Sequence, residues 1–211
     1  MVDTAKLYDA VLNGDHKTSA AITDAAIAEN LDPQEMVTKF MIPAMDEVGR
    51  RFENEEYFVP ELLLAARAMK ASLDKLRPLL AARGAEPTGK VVIGTVKGDL
   101  HDIGKNLVSA MLEGGGFEIT DLGADVTPEK FVAAVEKTGA TLVCLSALLT
   151  VTMPAMKTTI EAFVKAGLRD RIKIIIGGAP VTQQFADDIG ADAYGASASS
   201  AVAIARKLVA A

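Results

Sequence analysis

Residues 90–106 read Lys90-Val91-Val92-Ile93-Gly94-Thr95-Val96-Lys97-Gly98-Asp99-Leu100-His101-Asp102-Ile103-Gly104-Lys105-Asn106. Val91 to Val96 is a short, β-branched apolar run, the composition of a strand buried on both faces. Lys97-Gly98 ends it, and from Gly104 a helical pattern begins. Asp99-Leu100-His101 therefore sits outside the carboxyl end of a strand, where open α/β sheets bind ligands. A histidine there can ligate a metal through one ring nitrogen. Its other nitrogen can donate to the carboxylate two residues earlier, which fixes the tautomer and raises ring basicity. The same residues also allow a plainer reading, in which Asp99 or Asp102 caps the following helix. Spacing alone leaves both open. A phosphate-cradling Walker loop does not fit, because Asp99 stands at its first glycine and Asn106 at its last hydroxyl. The dinucleotide pattern of three glycines fails as well, since only Gly98 and Gly104 fall near it.

Downstream of this stretch, strands expected near 90–96, 117–122, 141–146, 172–176 and 192–194 alternate with helices near 104–114, 128–138, 154–166, 181–189 and 198–210. Five strand–helix units predict a parallel, doubly wound five-stranded sheet of flavodoxin-like (Rossmann) type over residues 90–211. The other strand ends offer Ser146, Leu148, Thr150 and Thr152 after the third strand, Gly177-Gly178 after the fourth, and Ala198 soon after the fifth. Small side chains and hydroxyls of this kind suit a deep slot for a long ligand. A phosphoryl-accepting receiver needs an aspartate at the end of the third strand, where this chain has Cys144 and Ser146. Cys144 reads as core and His16 as solvated.

Upstream, residues 1–86 show no convincing strand and predict a four-helix bundle, separated from the sheet by the loop 83–89. Asp32-Pro33 is a helix start. Met36, Phe40, Ala44, Val48 and Phe52 form one stripe on the third helix, with a kink expected at Pro43. Leu62, Ala66, Met69 and Leu73 line the fourth. Phe52, Phe58 and Val59 flank the polar break 53–56, where an apolar cluster can face a ligand or partner.

The formal net charge of −6 argues against nucleic acid or anionic membrane as a partner. A single cysteine rules out an intrachain disulfide and suits a reducing cytoplasm. The first residues lack a secretory pattern, and no apolar run is long enough to span a bilayer.

Taken together, Asp99-x-His101-x-x-Gly104, Ser146-x-Leu148 and Gly177-Gly178 resemble the three-part signature of cobalamin-binding domains. Residues 96–106 are similar to the matching segment of cobalamin-dependent methionine synthase. Met45-Asp46-Glu47-Val48-Gly49-Arg50-Arg51-Phe52 and the run from Phe58 to Met69 resemble the helical cap of that enzyme. The likeness spans nearly the whole chain and extends to the corrinoid proteins of methanol and methylamine methyltransferase systems.

The resemblance implies cobalamin or a related corrinoid as cofactor, cycling between Co(I) and methyl-Co(III). It makes His101 the lower axial cobalt ligand, Asp99 its partner and Thr152 the third member of the relay, where the family often has Ser. Gly98, Leu100, Asp102 and Gly104 complete the binding loop. Ser146, Leu148, Thr150, Gly177, Gly178 and Ala198 line the cofactor site, and Phe52, Phe58 and Val59 cover the methyl-bearing face. Loop 53–56 and the linker 83–89 become hinges. The implied function is a methyl carrier for one-carbon metabolism, not a complete catalyst by itself. Its implied partners are a substrate-specific methyltransferase, a second methyltransferase acting on a thiol or folate-type acceptor, and a reductive activase. The alternatives are a cobalamin-dependent sensor, which resembles this architecture but carries a DNA-binding segment, and a mutase subunit, which generally lacks the cap.

Overall fold

The computed structural model describes residues 3–84 and 86–210. Ala85 of the expected linker, and Met1, Val2 and Ala211 at the expected domain limits, lie outside the described residues. The chain divides into two compact units between Pro87 and Thr88, with the segment Ala110–Gly116 belonging to the first.

The first unit is helical. It contains α1 (Ala5–Leu12), α2 (His16–Ala28), α3 (Pro33–Met36), a π-helical turn (Val37–Met41), α4 (Ile42–Glu53) and α5 (Val59–Ala82). Local chemistry sets the starts. Asp15 accepts from the Thr18 N–H at α2. Asp32 accepts from Gln34 N–H and Pro33 opens α3, as expected of an acidic cap followed by proline. Leu7, Val11, Met36, Met41, Met45, Leu62, Met69 and Leu76 form the core. Between α2 and α5 the buried hydroxyls of Ser19, Thr23 and Ser72 bond one another, and Ser19 also donates to the Ala68 carbonyl. Small polar side chains thus let the two helices approach closely without orphaned donors.

The stripe predicted on the third helix is modified by the π turn. Ile42 N–H donates to Val37 O, five residues back, immediately before Pro43, which cannot donate at all. The wider turn holds one extra residue and rotates the apolar face. Met36, Ala44 and Val48 are buried as expected, but Met41 takes the inward place while Phe40 and Phe52 are half-buried. His16, expected in solvent, is half-buried as the first residue of α2.

The second unit holds the sheet and its helices, apart from the last residues of α6, from Ala110, which belong to the first unit. Its elements are β1 (Lys90–Thr95), α6 (Ile103–Gly114), β2 (Glu118–Asp121), α7 (Pro128–Thr138), β3 (Leu142–Ser146), α8 (Pro154–Lys165), β4 (Lys173–Gly177), α9 (Gln183–Ile189), β5 (Ala193–Gly195) and α10 (Ala198–Ala210). All pairings are parallel and the strand order is β2-β1-β3-β4-β5, which is the flavodoxin-like arrangement. Side-chain alternation sends Val92, Val143, Leu145, Ile174 and Ile176 to one face. There they pack with Phe131 and Val135 of α7, with Met156, Ile160 and Phe163 of α8 and with Ala186 of α9. The other face carries Ile93, Cys144 and Ile175 toward α6 and α10. No described helix is long and apolar enough to cross a membrane.

Gly94 shows how tightly α7 sits on β1. A Cβ there would lie 2.8 Å from Phe131 Cζ, inside van der Waals contact with a fully buried ring. Gly94→Ala is expected to destabilise the protein by about 1–3 kcal/mol through overpacking, read as a lower urea midpoint at unchanged slope.

Candidate functional site

The site grows from the carboxyl ends of β1 and β3, neighbours at the centre of the sheet. Gly98 turns the chain at φ +85° and delivers Asp99, which is completely buried. Every acceptor position of its carboxylate is used. Oδ1 accepts from the His101 backbone N–H at 3.0 Å and lies 2.7 Å from His101 Nδ1. Oδ2 accepts from the Thr152 hydroxyl at 2.6 Å and from the N–H groups of Leu148 at 2.8 Å and Leu149 at 3.3 Å. Burial pushes the Asp99 carboxyl up. The Thr152 hydroxyl, the His101 and Leu148 N–H groups and the His101 ring together outweigh that and hold it well below the usual carboxylate range. Asp99 is thus an ionised acceptor in a dry place.

An ionised Asp99 can only accept, so His101 Nδ1 is the donor of this pair and Nε2 is the nitrogen left for a ligand. The His101 side chain is half-exposed. One ring nitrogen is anchored inside and the other is offered to a ligand. The Thr152 methyl lies beside Gly98, 3.8 Å from where a Cβ would stand. The extra carbon relative to serine is accommodated, and the hydroxyl meets Asp99. Asp99 does not cap α6. Asp102 precedes that helix, its carbonyl accepting from Asn106 N–H and its carboxylate from the Asn106 amide.

Around His101 the surface is apolar. Leu100 is 76%, Ile103 81% and Val151 80% exposed, and Leu148 and Leu149 are also exposed. These large exposed apolar side chains, on the loops after β1 and β3 and at the first residue of α6, are of the kind that marks a ligand or partner site.

Beside this patch a cavity of about 290 Å³ runs down between α6 and α10. Its mouth is the row Ser146, Gly177 and Gly195, in register across β3, β4 and β5, together with Lys105, Ser197 and Ala198. Its floor is Ile93, Leu107, Val108, Cys144, Ile175 and Ala201. Burial pushes the Cys144 thiol up to about 12, so it is a neutral floor residue. Gly178, at φ +131°, is required by its surroundings, because a Cβ would fall 1.8 Å from the Ala147 carbonyl oxygen. At Gly104 a Cβ would meet nothing within 4 Å, so that glycine leaves open room at the mouth.

The structure therefore brings Asp99, His101 and Thr152 into one relay and gathers Gly104, Ser146, Gly177, Gly178 and Ala198 along the slot. Gly98, Leu100, Asp102 and Leu148 belong to the loops at the mouth. Thr150 is exposed and does not line the slot. In the helical unit, Phe58 is 63% exposed at the start of α5, with Val59 also exposed. The loop carrying them is tethered. Glu56 and Tyr57 N–H donate to Arg51 O, the Arg51 guanidinium reaches the Tyr57 hydroxyl at 2.9 Å, and Phe58 N–H donates to Glu61. These bonds order the loop in the conformation described. Sequence reasoning missed Ile103, Leu149, Val151 and Lys105. The last is a buried lysine in the slot wall, paired with Asp121 and Asn106.

Among the described residues no group of three or more His, Cys, Asp or Glu is placed to hold a metal ion. A metal at His101 Nε2 would draw its other ligands from a bound group.

Two family models described as "B12 binding domain" match residues 89–203 and 4–77. The chain is 42% identical to the dimethylamine corrinoid protein of Methanosarcina barkeri over 207 residues, covering 97% of this chain and 96% of that protein. A cobalamin-binding protein of Desulfitobacterium hafniense DCB-2 superposes with a TM-score of 0.78 at 35% identity, covering 98% of each chain. A chain of the methanol:cobalamin methyltransferase complex MtaBC of Methanosarcina barkeri superposes with a TM-score of 0.86 at 30% identity, covering 97% of this chain and 78% of that one.

The Asp99 network has a pH signature. A carboxyl with a lowered folded value stabilises the protein fully above its unfolded value of 3.8. It loses that contribution as pH falls toward the folded value. Asp99→Asn must turn an amide NH2 toward a side already filled by donors. It should cost about 2 kcal/mol at neutral pH. Unfolding curves of the two cofactor-free proteins should converge as pH drops below 3.8.

Proposed function

The chain belongs to the B12-binding corrinoid proteins, and from that premise we propose that it carries a methyl group on cobalt between two methyltransferases. One takes the methyl from a small donor of the methylamine or methanol class. The other delivers it to a thiol or a folate-type acceptor. The single observation that carries the reading is the His101–Asp99–Thr152 relay, with Nδ1 tied to a buried carboxylate and Nε2 turned outward.

The residues present fit a corrinoid. The protein supplies one outward nitrogen donor, as a metal already held in a macrocycle requires. The apolar patch of Leu100, Ile103, Leu148, Leu149 and Val151 suits a broad ring face. The adjoining slot, small at the mouth and apolar at the floor, suits a nucleotide tail. When bound, the corrinoid supplies a cobalt centre able to accept and release a methyl group.

The chain's own contribution follows from the relay. His101 would hold the metal through Nε2, the ring nitrogen that Asp99 leaves free. Asp99 keeps the Nδ1 proton and increases the donor strength of the ring. Thr152 and the Leu148 and Leu149 N–H groups keep Asp99 ionised. Ser146, Gly177, Gly178 and Ala198 line the tail channel. In this reading residues 90–211 would be the binding module and residues 1–86 the cap, with Phe52, Phe58 and Val59 the residues that would exclude water from the bound group. A cytoplasmic carrier with a reductive activase completes the system.

The test combines transfer and spectroscopy. The protein loaded with corrinoid is mixed with partner methyltransferases and with methylamines or methanol, and cobalt methylation is followed by absorbance. His101→Ala should still hold corrinoid through the slot but lose the imidazole-ligated spectrum, with methyl transfer reduced about ten-fold or more. An unchanged spectrum removes His101 from the mechanism.

A further inference from the structure

The loop between β2 and α7 carries a residue that none of the preceding roles uses. Asp125 stands at φ 53°, a left-handed conformation that Asp tolerates better than most residues. Its carboxylate accepts from the Gly98 N–H at 2.8 Å, and its own N–H donates to the Asp99 carbonyl at 2.9 Å. One residue thus grips both ends of the Gly98–Asp99 segment. The grip is anchored, because Val126 pairs with Val96 as a parallel bridge, Val126 N–H donates to Thr95 O and Thr95 N–H donates to Gly123 O. On the other side, Thr152 and the 148–149 backbone hold the Asp99 carboxylate. Thr95 also donates its hydroxyl to the His101 carbonyl at 2.9 Å.

The two halves of the clamp act on different atoms. Thr152, Leu148 and Leu149 act on the side chain of Asp99, while Asp125 acts on its main chain. The Asp99–His101 contact at 2.7 Å joins side chains only two residues apart, so a small rotation of the Gly98–Asp99 peptide swings the carboxylate relative to the ring. Gly98, at a positive φ and with no side chain, adds no steric hold of its own to this peptide. Its N–H has no acceptor in the sheet, and Asp125 supplies one.

We propose that Asp125 is a positioning residue for the His101–Asp99 pair, fixing through the Gly98–Asp99 main chain the direction in which His101 presents Nε2. The proposal rests on the reading of His101 as the cofactor-holding residue, so its test has one arm with cofactor and one without. Without cofactor, the His101 Nδ1–H proton is followed by NMR, since a proton held between ring and buried carboxylate resonates far downfield and exchanges slowly. With methylcobalamin bound, the imidazole-ligated fraction is read by absorbance.

Asp125→Asn keeps both the left-handed tolerance and an acceptor oxygen, and should retain the downfield proton and the wild-type spectrum. Asp125→Gly keeps the backbone conformation but loses the acceptor. It should broaden or lose the proton and lower the equilibrium constant between imidazole-ligated and base-ligated corrinoid about three- to ten-fold, the scale of one lost hydrogen bond. Asp125→Ala adds backbone strain and should be at least as impaired. A wild-type proton and spectrum in Asp125→Gly overturn the proposal. So does an Asp125→Gly protein that fails to fold, because the role is then structural. So does an Asp125→Asn protein as impaired as the glycine variant. If the wild-type protein shows no imidazole-ligated corrinoid, the cofactor reading fails, and the cofactor-free arm still decides whether Asp125 positions the pair.

Discussion

A negative charge buried without water must be matched by donors, and the centre of this protein is built around that requirement. Asp99 is fully buried and ionised. Removing any one of its donors would leave part of a charge unsatisfied in a dry place, which costs more than an ordinary hydrogen bond gains. The donors come from two loops that only the sheet topology brings together. Asp99 and His101 follow β1, and Leu148, Leu149 and Thr152 follow β3. In the order β2-β1-β3-β4-β5 those strands are adjacent, while their following helices lie on opposite faces. The crevice between two such strands is the switch point where doubly wound sheets bind ligands. Here the crevice is sealed by a carboxylate, and the histidine it holds is the part that remains exposed.

The same topology makes the slot. Three helices, α7, α8 and α9, cover one face of the sheet, and only α6 and α10 line the cavity on the other. Two helices leave the middle of that face open, over β3 and β4. The side chains pointing there shrink toward the carboxyl ends, from Cys144 and Ile175 to Ser146 and Gly177. Relay and slot open side by side, so a ligand held by His101 can send an appendage between α6 and α10 without distorting the sheet.

Much of this was legible in the sequence because it depends on local chemistry. The β-branched run of β1, the alternation of strands and helices and the Gly177-Gly178 pair each have a short-range cause, and the sheet follows from them, whereas the Asp99-x-His101 spacing leaves a metal site and a helix cap both open and the relay with Thr152 is implied only by the family resemblance. The rest depends on tertiary neighbours. Asp125 lies after β2, an edge strand whose end gave no sign that its loop folds back beside Val96. Lys105 reads as a solvated helix residue until Asp121 is brought beside it. The sequence pattern puts Phe40 on an α-helical stripe that kinks at Pro43, but the π turn just before Pro43 brings Met41 inward instead. The hydroxyl of Thr150 and its place after β3 point to the cofactor site, yet the turn that directs Thr152 to Asp99 leaves Thr150 in solvent. Ile103 and Val151 escaped notice because exposure of an apolar side chain is a property of the folded surface.

The account stands on a bond between His101 Nε2 and cobalt, and electron paramagnetic resonance reads that bond directly. The protein is produced with 15N-labelled histidine, loaded with unlabelled cobalamin and reduced to the paramagnetic Co(II) state. The account predicts axial superhyperfine splitting that changes from a triplet to a doublet on labelling, since the axial nitrogen then belongs to the protein. A triplet unaffected by the label would mean that the cofactor's own base still occupies the metal, and would contradict the account.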